Sequence, residues 1–189
     1  MGETLVRQDV RERLDNMSQT YGRALEAFID RHGLNVLVFP LDHVAIKLKN
    51  AKSYEDYLRE IEQYAVSLSE NPNIDGRRMA IATLKSYVAA AHLPTRHLQI
   101  MEPKPGKTGN DEQLDHAEMV MTYVDRLVAE ALGSRGIDFT DRTNLAHRTF
   151  TIKINDEGQE LKYTDKAIAR IEAEEIAAGK SCWIKAPRC

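Results

Sequence analysis

The tripeptide Leu-Asp-His occurs twice, at Leu41-Asp42-His43 and at Leu114-Asp115-His116. Imidazoles are ligand-type groups. Two of them at equivalent points of a repeated module can face each other across a shared pocket. The tripeptide alone recurs by chance in chains of this size, so the weight falls on what surrounds each copy. Each opens a segment that reads as a strand, 41–48 and 114–121, and each strand is followed by an amphipathic helical stretch.

Strand side chains alternate between faces. In the first strand His43, Ala45 and Lys47 oppose Val44, Ile46 and Leu48. In the second His116, Glu118 and Val120 oppose Ala117, Met119 and Met121. Later strands continue the division. His97, Gln99 and Met101 oppose Leu98 and Ile100, while Thr149, Thr151 and Lys153 oppose Phe150, Ile152 and Ile154. Glu160, Lys162 and Thr164 oppose Leu161 and Tyr163. One face is aliphatic and should carry the helices. The other collects His, Gln, Glu, Lys and Thr. A flat sheet would leave that face as an ordinary wet side. Two modules that curl it would make a polar pocket with convergent ligand-type groups.

The elements that position these strands can be read in order. Val10, Leu14, Met17, Tyr21, Leu25, Phe28 and Ile29 fall at helical spacing, with Gly22 a break that would fold the stretch into a hairpin. Gly33, after Arg31 and His32, marks its end. After strand 41–48, a helix is expected from an N-cap at Ser53 through Tyr57, Leu58, Ile61, Tyr64, Ala65 and Leu68. Turn chemistry at 71–76 precedes strands at 78–84, 87–93 and 96–102. A Pro-Gly-rich linker follows, and then the order repeats. Strand 113–121 leads to a helix over 122–136 with Val124, Leu127, Val128, Ala131 and Leu132 on one face. Residues 137–145 read as irregular or a short strand, and 148–154 pairs with 160–164 as a hairpin. A last helix from about Asp165 carries Ile168, Ile171 and Ile176 inward and stops at Gly179.

This is a duplicated supersecondary unit. The expected fold class is α+β, with two βαβββ modules forming a curved mixed sheet around a central pocket, an N-terminal helical hairpin and a C-terminal helix. The divisions are 1–34 for the helical segment, 35–103 for the first module, 104–112 for the linker, 113–165 for the second module and 166–189 for the helix and tail.

Composition bounds the rest. The chain has 189 residues, 42% hydrophobic and 29% charged, which is globular. A net charge of −3 argues against a nucleic-acid partner, because phosphate contacts need a basic face. No apolar run approaches the roughly 20 residues that span a bilayer. The first residues are polar, with no signal-peptide core, so a cytoplasmic location without a membrane partner is expected. Cys182 and Cys189 match no zinc-site spacing and read as reduced thiols. No P-loop, nucleophile elbow or dinucleotide fingerprint is present.

The pattern resembles the vicinal oxygen chelate superfamily, which includes glyoxalase I and the extradiol dioxygenases, and more closely the YecM-like bacterial proteins. The residues that carry the likeness are Asp42-His43-Val44, Ile100-Met101-Glu102-Pro103-Lys104-Pro105-Gly106, Asp115-His116-Ala117-Glu118 and Leu161-Lys162-Tyr163. It covers nearly the whole chain and rests on the order and spacing of short motifs. The resemblance implies a metal between the modules, with ligands from the first and last strand of each. On this sequence those positions are His43, Gln99, His116 and Lys162. The superfamily commonly has Glu at the last, and an ammonium is no ligand. Glu118 or Glu160 on the same face can supply the carboxylate, with Glu102 a further candidate.

Two imidazoles and a carboxylate suit Fe(II), Mn, Ni or Zn acting as a Lewis acid on two oxygens of a small metabolite. Glu118 or Glu160 can instead be the base, and Lys162 can stabilise oxyanion charge or serve as a base if burial lowers its pKa. The resemblance therefore implies a metal-dependent lyase, isomerase or dioxygenase. The alternative is a metal-free protein that binds a small molecule in the same pocket, which Lys162 favours. Three structural readings also stay open. The histidines can be buried, hydrogen-bonded groups holding the seam, Glu118 can pair with Lys162, and the N-terminal helices can serve a protein interaction. Lys104 and Lys107 in the linker can guide an anionic substrate, although solvated loop lysines are commoner.

Overall fold

Asp9 opens the first helix, its side chain accepting from the Arg11 N–H at 2.8 Å. Helix α1, Val10–His32, then buries Leu14, Tyr21, Leu25 and Phe28 along one side. It ends at Gly33, whose left-handed φ of 61° suits a residue without Cβ. The coordinates are a computed structural model, which describes residues 9–34, 40–107, 112–121, 132–142 and 148–187. The expected N-terminal hairpin is corrected: α1 runs unbroken through Gly22. The glycine serves packing instead, because a Cβ there would lie 2.8 Å from the backbone nitrogen of Ala91.

Strand β1, Leu41–Lys47, leads to α2, Ala51–Ile61, capped by Asn50, which accepts from the Ser53 N–H at 2.9 Å. Helix α2 stops earlier than its periodicity predicts. A single 3-10 turn, Glu62–Tyr64, passes into β2, Ala65–Ile74. Leu68 faces the main core while Ser67, Ser69 and Asn71 are buried on the other side. The same residues therefore satisfy a helical and an alternating pattern, and sheet pairing decides. Asp75 and Gly76, with φ of 52° and 80°, turn the chain into β3, Arg77–Ala90. This one strand replaces the two expected at 78–84 and 87–93. Its register shifts between Thr83 and Val88. Strand β4 is Leu93–Met101.

The second half contributes β5, Gln113–Val120, β6, Thr140–Asp141, β7, Thr149–Lys153, and β8, Glu160–Thr164. The helix expected over 122–136 lies largely outside the described residues, including Val124, Leu127, Val128 and Ala131. Helix α3, Ile168–Ala177, follows, and then β9, Cys182–Lys185, in a segment expected to be only a tail. Cys182 is an exposed free thiol, and Cys189 lies outside the described residues.

The nine strands of the described residues form one mixed sheet in the order β6-β7-β8-β5-β1-β4-β3-β2-β9. Each half repeats a pattern. The first strand lies parallel to the last, β1 to β4 and β5 to β8, and the two first strands pair antiparallel at the centre. The predicted aliphatic face is the core: Val44, Ile46, Leu98, Ile100, Met119, Ile152 and Leu161 join α1 and α2 in one buried cluster. Across the opposite face of the first half lies α3. The Ile168 N–H donates to Asp42 Oδ2 at 2.8 Å, and Glu172 is hydrogen-bonded to Ser69. Among the described residues no helix is long and apolar enough to cross a membrane.

Candidate metal centre

The central strand pair does not alternate regularly. Between Leu41 and His43, β1 advances two residues while β5 moves from Met119 to Glu118. Between Ala45 and Ile46, β1 advances one residue while β5 moves from His116 to Leu114. The extra residues of these two bulges are Asp42 and Asp115, the middle members of the repeated tripeptide. A bulge resets the alternation and re-aims side chains. Leu41 and Leu114 accordingly stay in the helix-side core while the histidines two positions on do not. The aspartates stay close to their histidines. Asp42 Oδ2 lies 2.9 Å from His43 Nδ1, and Asp115 Oδ2 lies 3.0 Å from His116 Nδ1.

A carboxylate on Nδ1 fixes the proton there and leaves Nε2 as the basic nitrogen. The two Nε2 atoms converge. The rings meet edge to face with centroids 5.8 Å apart, and Glu118 Oε2 stands 3.8 Å from His43 Nε2 and 3.9 Å from His116 Nε2. One ligand atom from each of the three residues lies within 4.8 Å of the others. Donors around a shared cation bound at about 2.0–2.2 Å sit roughly 3–3.5 Å apart, so a small contraction would complete such a set. The site is secluded: each histidine is 1% exposed and Glu118 8%. Among the described residues, His43 Nε2 is buried without a hydrogen-bond partner. An orphaned, lone-pair-bearing nitrogen in the interior is costly unless something fills its coordination. Burial, reinforced by the neighbouring Lys162 charge, pushes the His116 pKa down to about 3 against the pull of Asp115. His116 is thus neutral, the form that ligates metals.

Lys162 joins the cluster from β8, where it pairs with Glu118 in the strand register. Its Nζ lies 3.2 and 3.3 Å from the two ring nitrogens of His116 and 3.9 Å from Glu160 Oε2. Burial lowers its pKa, against the carboxylates of Glu118, Glu160 and Asp115. Among the other expected ligands, Gln99 sits opposite Ala45, and its amide donates to Met79 Sδ at 2.9 Å. Glu160 is held by Arg142 at 3.4 Å as well as by Lys162. Glu102 lies away from the cluster in a bidentate pair with Arg78. The structure therefore brings together His43, His116, Glu118 and Lys162. The bulge aspartates were not foreseen, although the repeated Asp before each His was the available signal.

Two repeated half-sheets, joined through their first strands with ligand-type side chains at the seam, define the glyoxalase-like class of paired-module folds. Within it the chain belongs to the YecM protein family, whose model matches residues 11–176. A solved structure described as "Structural Genomics, Protein EC4020" is 24% identical, with a TM-score of 0.73 over 92% of this chain and 100% of that one. Methylmalonyl-CoA epimerase from Mycobacterium tuberculosis is 19% identical, with a TM-score of 0.49 over 71% of this chain and 91% of that one. No curated protein matches the sequence.

Proposed function

We propose that this YecM protein is a metal-dependent enzyme of the vicinal oxygen chelate type acting on a small oxygenated metabolite. His43, His116 and Glu118 are its ligands for a divalent Fe, Mn, Ni or Zn ion. The observation that carries this reading is the buried Nε2 of His43, without a partner among the described residues and beside two further ligand atoms. A bound ion supplies Lewis acidity toward two substrate oxygens. The chain's own groups do the rest. Asp42 and Asp115 hold the imidazoles in one tautomer. Lys162 sets a cation, or after deprotonation an amine base, beside His116. Glu118, expected both as ligand and as base, takes the ligand role because its carboxylate stands between the two Nε2 atoms. Proton transfer then falls to Lys162, with Glu160 behind it. Such a set suits lyase or isomerase chemistry through an enediolate, or dioxygenase chemistry.

The contact between Lys162 Nζ and His116 supports a second reading, in which an ammonium occupies the ligand position and the pocket binds a small molecule without metal. Elemental analysis separates the two. After purification without a His tag and reconstitution with Fe, Mn, Ni and Zn, the protein should hold about one divalent ion per chain. His43→Ala and His116→Ala should lose it, and Lys162→Met should bind it more tightly. Absence of metal from the reconstituted wild type would leave the second reading.

A further inference from the structure

A cavity of about 580 Å³ opens at the Lys47 end of β1, in the size range of small-molecule sites. It reaches the ligand cluster through Asp115 and Lys162, which line it and both touch His116. Its basic lining residues are Lys47, Arg77, Lys104, Lys107, Arg142 and Lys162, against the carboxylates of Asp75, Asp115, Glu157 and Glu160. Two of these carboxylates are already engaged. Asp115 lies 3.7 Å from Lys47, and Glu160 contacts Arg142 and Lys162. Asp75 and Glu157 are exposed. Among the described residues no carboxylate lies within 4.0 Å of the charged groups of Arg77, Lys104 or Lys107. Arg77 Nε is moreover buried with no acceptor among the described residues. A buried guanidinium N–H without an acceptor is costly, and its planar fork matches a carboxylate or a phosphate. Unpaired cations lining one concavity also focus potential toward an incoming anion.

We infer that this cavity holds an acidic group of the ligand. The metabolite carries a carboxylate or phosphate, bound by Arg77, Lys104 and Lys107, in addition to the oxygens it presents at the His43–His116–Glu118 cluster. As a statement about substrate this rests on the metal-site reading. As a statement about an anion subsite it stands alone.

Calorimetric titration of the full chain at low ionic strength tests it, with malonate and inorganic phosphate as probes and glycerol as the neutral comparator. At least one anion should bind and glycerol should not, and whichever anion binds names the acid. Arg77→Gln and the exposed double variant Lys104→Gln/Lys107→Gln should each raise Kd about tenfold, equivalent to roughly 1.4 kcal/mol, while metal content stays at the wild-type level. His43→Ala should lose metal and keep the anion, which rules out chelation by the probe. Binding that depends on Arg77 in a protein free of metal would overturn the metal reading and retain the subsite. Failure of both anions to bind, or unchanged affinity in the folded lysine double variant, would overturn the inference.

Discussion

The Tyr21 hydroxyl donates to the Glu160 carbonyl at 2.6 Å and accepts from the Ala117 N–H at 3.0 Å. It stands between the strand that carries His116 and the strand that carries Lys162. One phenol from α1 thus fixes the spacing of two site-bearing strands. Tyr21→Phe keeps the ring and strands a buried donor and a buried acceptor. It should cost about 1–3 kcal/mol in urea denaturation, with an unchanged m-value. The helical spacing of the sequence identified Tyr21 as a core residue, because period reports burial. It could not report the hydroxyl's partners, which lie far along the chain. The site shows the same division. His43, His116, Glu118 and Lys162 were legible as residue types on one strand face. The roles of Asp42 and Asp115 were not, because alternation assumes one residue per step and these two are the places where that fails.

Individual elements show where local pattern and tertiary context part. Helix α1 continues through Gly22 because the β3–β4 turn presses against it there. That turn, Ala91 and His92, takes φ values of 51° and 63° without a glycine, a conformation that side chains seldom adopt. His92 is tied down by Glu26 at 2.9 Å. Gly22→Ala would drive a Cβ into backbone rather than into a flexible side chain. It should lower stability by about 1–3 kcal/mol, read as a lower denaturation midpoint with helix content retained by circular dichroism. The apolar residues from Glu62 to Asn71 fit both a helical and an alternating period, and the segment forms a 3-10 turn and then a strand. Only pairing with β3 selects the strand. Strand β9 has only four residues, too few to carry a periodic signal. Its order comes from β2, which it pairs with along Leu68 to Glu70.

At the scale of the molecule, the repeated order of elements was visible in the sequence, and the antiparallel join of the two halves was the step that residues alone did not supply. In the first half, the Arg78 guanidinium stacks 4.9 Å from the Tyr54 ring of α2, pairs with Glu55, and binds Glu102 just past β4. The Arg78 hydrogen bonds hold Glu102 below its ordinary pKa of 4.5, against burial. The folded state therefore releases this proton more readily than the unfolded chain. The resulting stability is complete above pH 4.5 and is lost as pH falls through the lowered value. Urea denaturation at pH 7 and near pH 4 should show wild type losing more stability on acidification than Glu102→Gln, which is weaker at pH 7 and flatter with pH. The central β1–β5 join has a different consequence, one of folding order. It pairs residues near position 43 with residues near position 118. Closing so long a loop is slow beside the formation of either half's own hairpins. Neither half carries more than one histidine of the pair, so a nascent chain cannot assemble the cluster until the second half has been made and docked.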